Sequence, residues 1–258
     1  MQKTPLHLLK IGGKLIEDQE KLTFVLDRFS KLEGAKVLVH GGGKRANQLC
    51  TQLSIEPKMV DGRRITDAPT LEVVTMVYSG LINKNIVSQL QALGCNAIGL
   101  SGADGNTILA HKRVVKTIDY GFAGDIDEVN SSTIAGLISL GLIPVFCAIT
   151  HDGKGQLLNT NADTIAATLA TALAGEYEVH LKYCFEKQGV LSEPANERSV
   201  IKRLDPHRYQ AYRQNGVINE GMIPKLDNAF GALSRGVEEV IIGNPKTIFD
   251  GTGTVLKI

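Results

Sequence analysis

Two glycine-rich turns carry the residues of this chain that are best suited to bind an anion. The first is Lys10-Ile11-Gly12-Gly13 and the second is His40-Gly41-Gly42-Gly43. Each run ends a short apolar stretch and precedes a helical pattern, so the chain twice predicts a strand, a glycine turn and a helix. Glycine lets the backbone come close to a ligand, and free N–H groups at a helix start attract anions. With a lysine beside them, the two turns predict a site for a polyanion, most simply a phosphate.

Neither turn carries a common nucleotide-binding fingerprint. No GxGxxG run follows either predicted strand, and no GxxxxGK[ST] run occurs in the chain, which argues against a Rossmann dinucleotide site and a P-loop. Lys10 is predicted to lie at the carboxyl edge of a parallel sheet, where ligands of open α/β sheets bind. His40 ends the second apolar stretch and is predicted to be a core or hydrogen-bonded strand-end residue instead of a catalytic base.

Three further segments place charged side chains where local structure alone does not explain them. The segment Asn159-Thr160-Asn161-Ala162-Asp163 precedes a helical pattern, and a helix cap accounts for only one of its polar residues. The carboxylate of Asp163 could instead orient lysines by accepting their hydrogen bonds. Lys225, in Gly221-Met222-Ile223-Pro224-Lys225, opens another helix against the helix dipole, which a bound phosphate would explain. Arg64, on a predicted hairpin, can grip a carboxylate, although a solvated hairpin charge explains it equally well.

The elements that must position these residues alternate along the chain. Strands are predicted at residues 6–9, 37–39, 97–100, 143–149, 179–184, 237–242 and 254–258. Helices are predicted at residues 18–33, 44–53, 132–140, 162–174, 206–214 and 222–234, and over a long region that Asp67 caps and that extends to residue 93 with a break near Gly80. A hairpin is predicted over 59–65 with a turn at Asp61-Gly62, and a β-ribbon over 107–129 with turns at Tyr120-Gly121 and Ala123-Gly124. This alternation predicts a mainly parallel sheet covered on both faces.

Composition argues against several classes of partner. The 28 basic and 27 acidic residues give a net charge of +1, which predicts neither a nucleic-acid surface nor a membrane surface. The longest apolar run, residues 135–149, contains Ser139 and Pro144 and is shorter than the ~18 residues that a membrane span needs. The four cysteines form no CxxC pair, which predicts reduced thiols and no zinc site. Because the first strand begins close to Met1, no signal peptide is predicted and a cytoplasmic protein is expected.

In order and approximate spacing, these segments resemble the amino acid kinase family. The resemblance covers residues 6 to about 235 and is carried by both glycine turns and by residues 62–66, 99–106, 121–126, 158–163 and 221–225. It implies an open, mainly parallel eight-stranded sheet sandwiched between helices, the carbamate kinase-like fold. It also implies an amino-terminal lobe, residues 1–175, that binds an acylated amino acid and forms a homodimer, and a carboxy-terminal lobe, residues 176–258, that binds ATP.

Within that family the chain is most similar to members that phosphorylate the γ-carboxylate of N-acetyl-L-glutamate with ATP and Mg²⁺ in arginine biosynthesis. The resemblance implies that Lys10 and Lys225 contact the phosphoryl groups and that Asp163 organises both lysines. It further implies phosphate contacts at Gly12 and Gly13. Substrate-binding roles are implied for Gly42, Gly43, Arg64, Asn159 and Asn161. No metal ligand among the side chains, no nucleic acid and no membrane is implied.

Departures from the family pattern leave alternatives open. Residues 182–189 stand where the family usually has Thr/Ser-Asp and a short loop, so the residues that contact adenine stay open. The acyl group of the acceptor stays open as well, and an N-succinyl-L-glutamate kinase is one alternative. Another family member, such as a glutamate or carbamate kinase, is a second alternative, although Arg64 with residues 159–163 favours the acylglutamate type. A non-catalytic nucleotide or amino-acid sensor is the third, and the retained Lys10, Asp163 and Lys225 argue against it. Because no extra helix precedes the first strand, an arginine-insensitive dimer is expected.

Overall fold

The computed structural model describes residues 3–60, 63–193, 195–218 and 222–258. Its strands are, in chain order, β1 (Thr4–Ile11), β2 (Ala35–His40), β3 (Met59–Val60), β4 (Arg63–Arg64), β5 (Ala97–Leu100), β6 (Ile108–Lys112), β7 (Gly124–Val129), β8 (Ile143–Phe146), β9 (Ile149–His151), β10 (Leu157–Asn159), β11 (Tyr177–Cys184), β12 (Arg203–Leu204), β13 (Glu239–Gly243) and β14 (Thr254–Leu256).

The helices are, in chain order, α1 (Gly13–Ile16), α2 (Gln19–Ser30), α3 (Gly43–Gln52), α4 (Ala68–Thr75), α5 (Asn83–Ala92), α6 (Ser131–Ser139), α7 (Ala162–Leu173), α8 (Pro206–Gln214) and α9 (Ile223–Leu233). A π-helix, Met76–Ile82, joins α4 to α5, and a short 3₁₀ turn lies at Asp104–Asn106. In the part of the chain that the structure describes, none of these helices has both the length and the apolar character needed to cross a membrane.

The central sheet has eight strands in the order β12-β14-β13-β11-β1-β2-β8-β5. Every neighbouring pair is parallel except β13 with β14, which is antiparallel. Leu8 and Leu9 point to opposite faces of β1 and are both 0% exposed, so both faces of the sheet are covered at its centre. A parallel sheet buried on two faces requires continuous apolar strands, as the sequence has. The predicted fold class is confirmed.

Each half of the central sheet is built from one continuous part of the chain. Strands β12, β14, β13 and β11 all come from residues 176–258, whereas β1, β2, β8 and β5 all come from residues 1–175. The two sets meet where β1 pairs with β11, from Thr4 opposite Tyr177 to Ile11 opposite Cys184. The predicted lobes would therefore share one sheet, and the division into lobes remains a prediction.

The prediction of one strand over residues 143–149 is wrong. Strand β8 belongs to the central sheet, while β9 belongs to a second sheet with the order β10-β9-β6-β7. The chain leaves the first sheet between them, because the Cys147 amide still donates to the Leu100 carbonyl at 2.9 Å whereas the Ala148 carbonyl accepts from the Thr160 amide at 3.1 Å. An apolar run shows that a segment is buried but does not show where it changes sheets.

The predicted ribbon over residues 107–129 is confirmed as the antiparallel pair β6 and β7. The turn predicted at Ala123-Gly124 is wrong, since Gly124 begins β7, while the turn at Gly121 has a φ of +65°. The hairpin is confirmed as the antiparallel pair β3 and β4, and its predicted turn, Asp61-Gly62, lies outside the described residues. Strands β10 and β12 were not predicted because three and two residues are too short to show alternation.

The predicted helices are confirmed to within a few residues at their ends. Asp18 caps α2 by accepting from the Lys21 amide at 3.1 Å, as its position predicted. The long region that ends at residue 93 is interrupted by the π-helix, which begins at Met76 and includes the predicted break at Gly80.

The turn between α2 and β2 requires glycine at position 34. Gly34 has a φ of +93°, and a Cβ there would lie 2.6 Å from the Pro5 carbonyl oxygen. We expect Gly34→Ala to lower the free energy of unfolding by about 1–3 kcal/mol, because the backbone must move to relieve the strain. Urea unfolding followed by circular dichroism measures this. Gly136→Ala, within α6 and facing open space, is the matched control and should stabilise the protein by about 0.5–1 kcal/mol. A Gly34→Ala protein as stable as the wild type would contradict this account.

Candidate active site

Two lysines and one aspartate from distant parts of the chain meet at the carboxyl edge of the central sheet. Lys10 is the next-to-last residue of β1, while Asp163 and Lys225 lie in the first turns of α7 and α9. Lys10 Nζ lies 2.6 Å from Asp163 Oδ1, and Lys225 Nζ donates to Asp163 Oδ2 at 2.5 Å. The side chains of Lys10, Asp163 and Lys225 are 10%, 15% and 18% exposed. The structure therefore brings together the three residues that the sequence analysis grouped as catalytic.

The electrostatics of this cluster favour an anionic ligand. Burial alone would raise the pKa of Asp163, but the charges and hydrogen bonds of Lys10 and Lys225 lower that pKa to about 2. Burial lowers the pKa of Lys10, and the Asp163 carboxylate offsets part of this effect. Asp163 is thus ionised at neutral pH, and two ammonium groups on one carboxylate leave a net positive charge where water is largely excluded.

Local hydrogen bonds fix Asp163 at the start of α7. The Asn161 side-chain oxygen accepts from the backbone amides of Asp163 at 2.8 Å and Thr164 at 3.1 Å, so Asn161 caps the helix. From β11, the Tyr183 hydroxyl donates to the Asp163 carbonyl oxygen at 3.1 Å. The helix dipole also favours a carboxylate in this first turn. The backbone of Asp163 is therefore held by one hydrogen bond at its N–H group and by another at its carbonyl oxygen.

The contact with Asp163 explains why Lys225 lies at a helix start. A lysine in the first turn of α9 opposes the helix dipole, so its position needs another source of stabilisation. The ion pair with Asp163 supplies that stabilisation. Gly221, the first residue of the predicted motif, lies outside the described residues.

The two glycine turns lie side by side because β1 and β2 are neighbours in the sheet. A Cβ on Gly13 would lie 3.5 Å from the amide nitrogen of Gly43 and 3.6 Å from that of Gly42. Helix α3 begins at Gly43 without a side-chain cap, so its first N–H groups are open to a ligand. The starts of α1 and α3 therefore lie close together at the end of β1, the strand that carries Lys10.

Gly12 contributes to the sheet through its N–H group. Its amide donates to the Cys184 carbonyl at 3.0 Å, which continues the pairing of β1 with β11. This N–H group is therefore not available to a phosphate. The phosphate contact predicted for Gly12 remains a prediction, but the N–H group able to make such a contact in this turn is that of Gly13.

His40 is a buried, neutral, hydrogen-bonded residue, as the sequence predicted. Its Nδ1 lies 2.9 Å from the Gly41 carbonyl oxygen, which can only accept, so Nδ1 carries the proton. Its Nε2 accepts from the Asn83 side-chain amide at 3.1 Å. Burial lowers the pKa of His40 to about 4. A histidine with both ring nitrogens engaged in this way is not placed to act as a base.

Arg64 lies in a cleft beside the glycine turns and is only 8% exposed. Its Nη2 donates to the Gly43 carbonyl oxygen at 2.9 Å. Its Nη1 is buried and has no hydrogen-bond partner among the described residues. A buried charged donor without an acceptor is unfavourable, and a carboxylate completes such a guanidinium well. Of the two interpretations of Arg64, the solvated hairpin charge is therefore wrong.

Asn159 and Asn161 line the same cleft as Arg64. The Asn159 side-chain amide donates to the Thr66 hydroxyl at 2.9 Å, which fixes its orientation. The side-chain oxygen of Asn161 is used by the helix cap, so the group it can offer a ligand is its amide nitrogen. Together with Gly42 and Gly43, the five residues predicted to bind the substrate all line one cleft.

Three residues that were not among the predicted site residues also line this cleft: Arg63, Tyr78 and Arg113. Arg113 forms a two-pronged ion pair with Asp125 across the ribbon, with Nη2 to Oδ1 at 2.5 Å. Opposite charges on two predicted strands could have indicated that pair. Tyr78 lies in the π-helix, and no helical pattern in a sequence predicts where that rare geometry places a side chain.

A second groove lies among residues of the carboxy-terminal part of the chain. It is lined mainly by apolar residues: Lys187, Gly189, Val190, Leu191, Val217, Ile218 and Met222. Several of these residues come from the loop that departs from the family pattern or directly follow it. The Val190 amide donates to the Thr254 hydroxyl at 2.8 Å, which ties this end of the loop to β14.

Comparisons with known proteins agree with the geometry. The sequence profile of the amino acid kinase family matches residues 6–244. The acetylglutamate kinase of Phocaeicola vulgatus is 54% identical over 255 residues, covering 99% of this chain and 99% of that protein. The acetylglutamate kinase of Parabacteroides distasonis is 54% identical over 249 residues, covering 96% and 98%. Among solved structures, smu.665 from Streptococcus mutans has a TM-score of 0.80 at 27% identity, covering 98% of both chains.

We expect Asp163→Asn to lower the free energy of unfolding by about 3 kcal/mol or more at pH 7, because two buried ammonium groups lose their counter-charge. This variant loses the main effect that offsets the lowering of the Lys10 pKa by burial and by Lys225. The folded state then binds fewer protons than the unfolded state, so stability rises with pH and part of the loss returns by pH 9. Urea unfolding at both pH values measures this.

The matched control is Asp27→Asn, which breaks an exposed pair in α2 whose Lys31 Nζ to Asp27 Oδ2 distance is 2.8 Å. It should cost less than about 1 kcal/mol at either pH. An Asp163→Asn protein that loses as little as this control, with no dependence on pH, would show that the shared carboxylate does not hold the cluster together.

Proposed function

The chain belongs to the amino acid kinase family, and from this we propose that it is an acetylglutamate kinase. It transfers the γ-phosphoryl group of ATP to the γ-carboxylate of N-acetyl-L-glutamate in arginine biosynthesis. The observation that carries the proposal is the Lys10–Asp163–Lys225 cluster, which lies at the sheet edge where the two glycine turns meet. The identity to acetylglutamate kinases over nearly the whole chain supports this choice of acceptor.

The chemistry needs counter-charge and positioning more than proton transfer. A γ-carboxylate oxygen forms a bond to the γ-phosphorus while the bond to the bridging oxygen breaks, and ADP leaves. The carboxylate is already ionised near neutral pH, so no general base is needed. The barrier arises from bringing two anions together in line. Fixed positive groups aimed at the transferring phosphoryl group lower that barrier, because they need no reorganisation during the reaction.

The lysine cluster is suited to supply those groups. We assign Lys10 and Lys225 to the phosphoryl oxygens, with Asp163 as the residue that holds both ammonium groups in place. The low pKa of Asp163 means that it does not exchange a proton in this step. Gly13 lies close to the amide nitrogens of Gly42 and Gly43, so the N–H groups of these three residues would donate to the phosphate and to the reacting carboxylate.

The cleft beside the glycine turns is the proposed acceptor site. The free Nη1 of Arg64 would bind the α-carboxylate of N-acetyl-L-glutamate. The amide groups of Asn159 and Asn161 would hold the substituents on its α-nitrogen, since both line the same cleft. This arrangement directs the γ-carboxylate toward the lysine cluster, because Asn161 caps the helix that presents Asp163.

ATP is the phosphoryl donor that the family implies, and we place its base in the groove lined by Lys187, Gly189, Val190, Leu191 and Val217. Mg²⁺ would arrive with the triphosphate. The described residues contain no group of three or more His, Cys, Asp or Glu side chains able to enclose a metal ion, so phosphate oxygens and water are the better ligands for it. Its chemical contribution is to neutralise phosphate charge.

The remaining expectations are proposals that follow from the same function. A cytoplasmic enzyme, an amino-terminal lobe for the acceptor and a carboxy-terminal lobe for ATP are consistent with the shared sheet. The family resemblance likewise implies a homodimer formed through the amino-terminal lobe.

One observation favours an N-succinyl-L-glutamate kinase as the second candidate. Arg63 and Arg113 line the acceptor cleft together with Arg64. An acyl group that carries a second carboxylate could reach Arg63, whereas Arg113 is already paired with Asp125. The phosphoryl-transfer chemistry would be unchanged.

An assay of ADP release tests the proposed function and its alternatives together. We expect turnover that depends on N-acetyl-L-glutamate and is much slower with free L-glutamate, which lacks the acyl group. Faster turnover with N-succinyl-L-glutamate than with the acetyl compound would establish the second candidate. ATP binding without turnover on any of the three acceptors would establish a sensor and end the kinase proposal.

We expect Lys225→Ala to lower turnover by about 10²–10³-fold, as removal of one electrostatic donor to a transition state does in other enzymes. Single-turnover kinetics isolate the phosphoryl-transfer step. Lys31→Ala, which removes an exposed lysine of α2, is the control and should keep wild-type rates. Near-normal phosphoryl transfer in Lys225→Ala would remove Lys225 from the mechanism.

A further inference from the structure

The backbone of Gly41, in the second glycine turn, is held at both of its polar groups. Its carbonyl oxygen lies 2.9 Å from Nδ1 of His40, which ends β2 and is 0% exposed. Its N–H group donates to the Ile11 carbonyl at 3.3 Å and so extends the pairing of β1 with β2. The position of Gly41 is therefore fixed before the chain reaches Gly42.

A buried amide determines which ring nitrogen of His40 carries the proton. Asn83, the first residue of α5, is 1% exposed, and its Nδ2 donates to the Val145 carbonyl at 2.9 Å. The same nitrogen lies 3.1 Å from His40 Nε2, which must therefore accept. Asn83 Oδ1 accepts from Lys84 Nζ at 3.2 Å, which keeps the amide in this orientation. The proton of the neutral ring is thus on Nδ1 and points at the Gly41 carbonyl oxygen.

The direction of the Gly41 carbonyl also sets the direction of the next N–H group. Both belong to one trans peptide, in whose plane C=O and N–H point in opposite directions. Because the carbonyl is turned toward His40, the Gly42 N–H points away from His40, and it donates to no group of the described residues. The Gly42 nitrogen lies 3.6 Å from the place of a Cβ on Gly13, and a Cβ on Gly41 would lie 3.9 Å from Ala162 Cβ, at the start of α7.

We propose that His40 is a positioning residue for phosphoryl transfer, whose Nδ1–H group holds the Gly41–Gly42 peptide so that the Gly42 N–H points at the reacting anion. The inference rests on the proposed function, since that function places the phosphoryl group and the γ-carboxylate at the glycine turns. His40 touches no substrate and exchanges no proton. Without its hydrogen bond the peptide between two glycines can rotate, because neither has a side chain to restrict it. The preorganised donor is then lost.

Two amide side chains separate the roles of the two ring nitrogens. His40→Asn keeps a donor near the place of Nδ1, whereas His40→Gln keeps an acceptor near the place of Nε2, so only the first can hold the Gly41 carbonyl. We expect kcat to fall about tenfold or more in His40→Gln, which is part of the ~10²–10³-fold that loss of such a donor costs. In His40→Asn, kcat should stay within about threefold of wild type. The KM for ATP should change less than about twofold in both, because the donor acts mainly in the transition state.

Two comparisons separate positioning from a loss of packing. Each His40 variant loses one buried hydrogen bond, so urea unfolding should show similar losses of stability while kcat differs between them. A packing role alone would lower stability in both variants and leave them with equal kcat values. His7→Gln is the matched control, because His7 lies on the same face of the sheet at the amino end of β1, and it should keep the wild-type kcat.

The tautomer of His40 can be measured in the wild-type protein itself. In protein labelled with nitrogen-15 at histidine, the long-range proton–nitrogen correlations of a neutral ring differ between the Nδ1–H and Nε2–H forms. The His40 signals are those missing from either His40 variant. At pH 7 we expect a neutral ring with the proton on Nδ1, since burial lowers the pKa of His40 to about 4.

A failure of this inference can be told from a failure of the proposed function. Wild-type protein that releases no ADP with N-acetyl-L-glutamate or N-succinyl-L-glutamate would overturn the function and this inference with it. In an active wild type, a His40 proton on Nε2 would overturn the inference alone. So would a kcat for His40→Gln that equals or exceeds that of His40→Asn.

Discussion

The site depends on one carboxylate that holds two ammonium groups against each other in a nearly enclosed place. Without it the two ammonium groups would repel each other, and burial disfavours the charged form of Lys10 by lowering its pKa. Asp163 prevents this, with a pKa lowered to about 2 by the same two lysines. Two ammonium groups and one carboxylate leave the cluster with a net positive charge. An anionic ligand supplies the missing charge, which is why the arrangement suits a phosphoryl group.

Most of the fold can be understood as a means of bringing that cluster to the acceptor cleft. Strand β1 lies at the centre of the sheet, so its end is flanked by β2 on one side and β11 on the other. The neighbour β2 places the second glycine turn beside the first, and β11 supplies the Tyr183 hydroxyl that holds Asp163. Helix α7 carries the carboxylate into the gap, and its cap, Asn161, already lines the acceptor cleft. The proposed phosphoryl-transfer and acceptor sites would therefore share one short segment of chain.

The sequence indicated which charged residues need a partner where a residue contradicted its local environment. Lys225 opposes the dipole of its helix and Asp163 exceeds what a cap needs, and each is explained by the other. Arg64 was ambiguous because a charge on a hairpin is normally solvated; its 8% exposure could not be inferred from two strand residues. The π-helix was beyond prediction, since its side-chain period differs from that of the α-helix used to detect helices.

The sequence by itself determined the alternation of strands and helices, the places where glycine replaces a side chain, and the charged residues that need a partner. These follow from local rules, because hydrophobic periodicity, capping and glycine conformation act over a few residues. The tertiary structure alone decided that residues 143–149 divide between two sheets, that the Gly12 amide is used by the sheet, and that Arg64 is buried in a cleft that Asn159 also lines. Those outcomes depend on which distant segments come into contact, and such contacts are fixed only when the whole core packs.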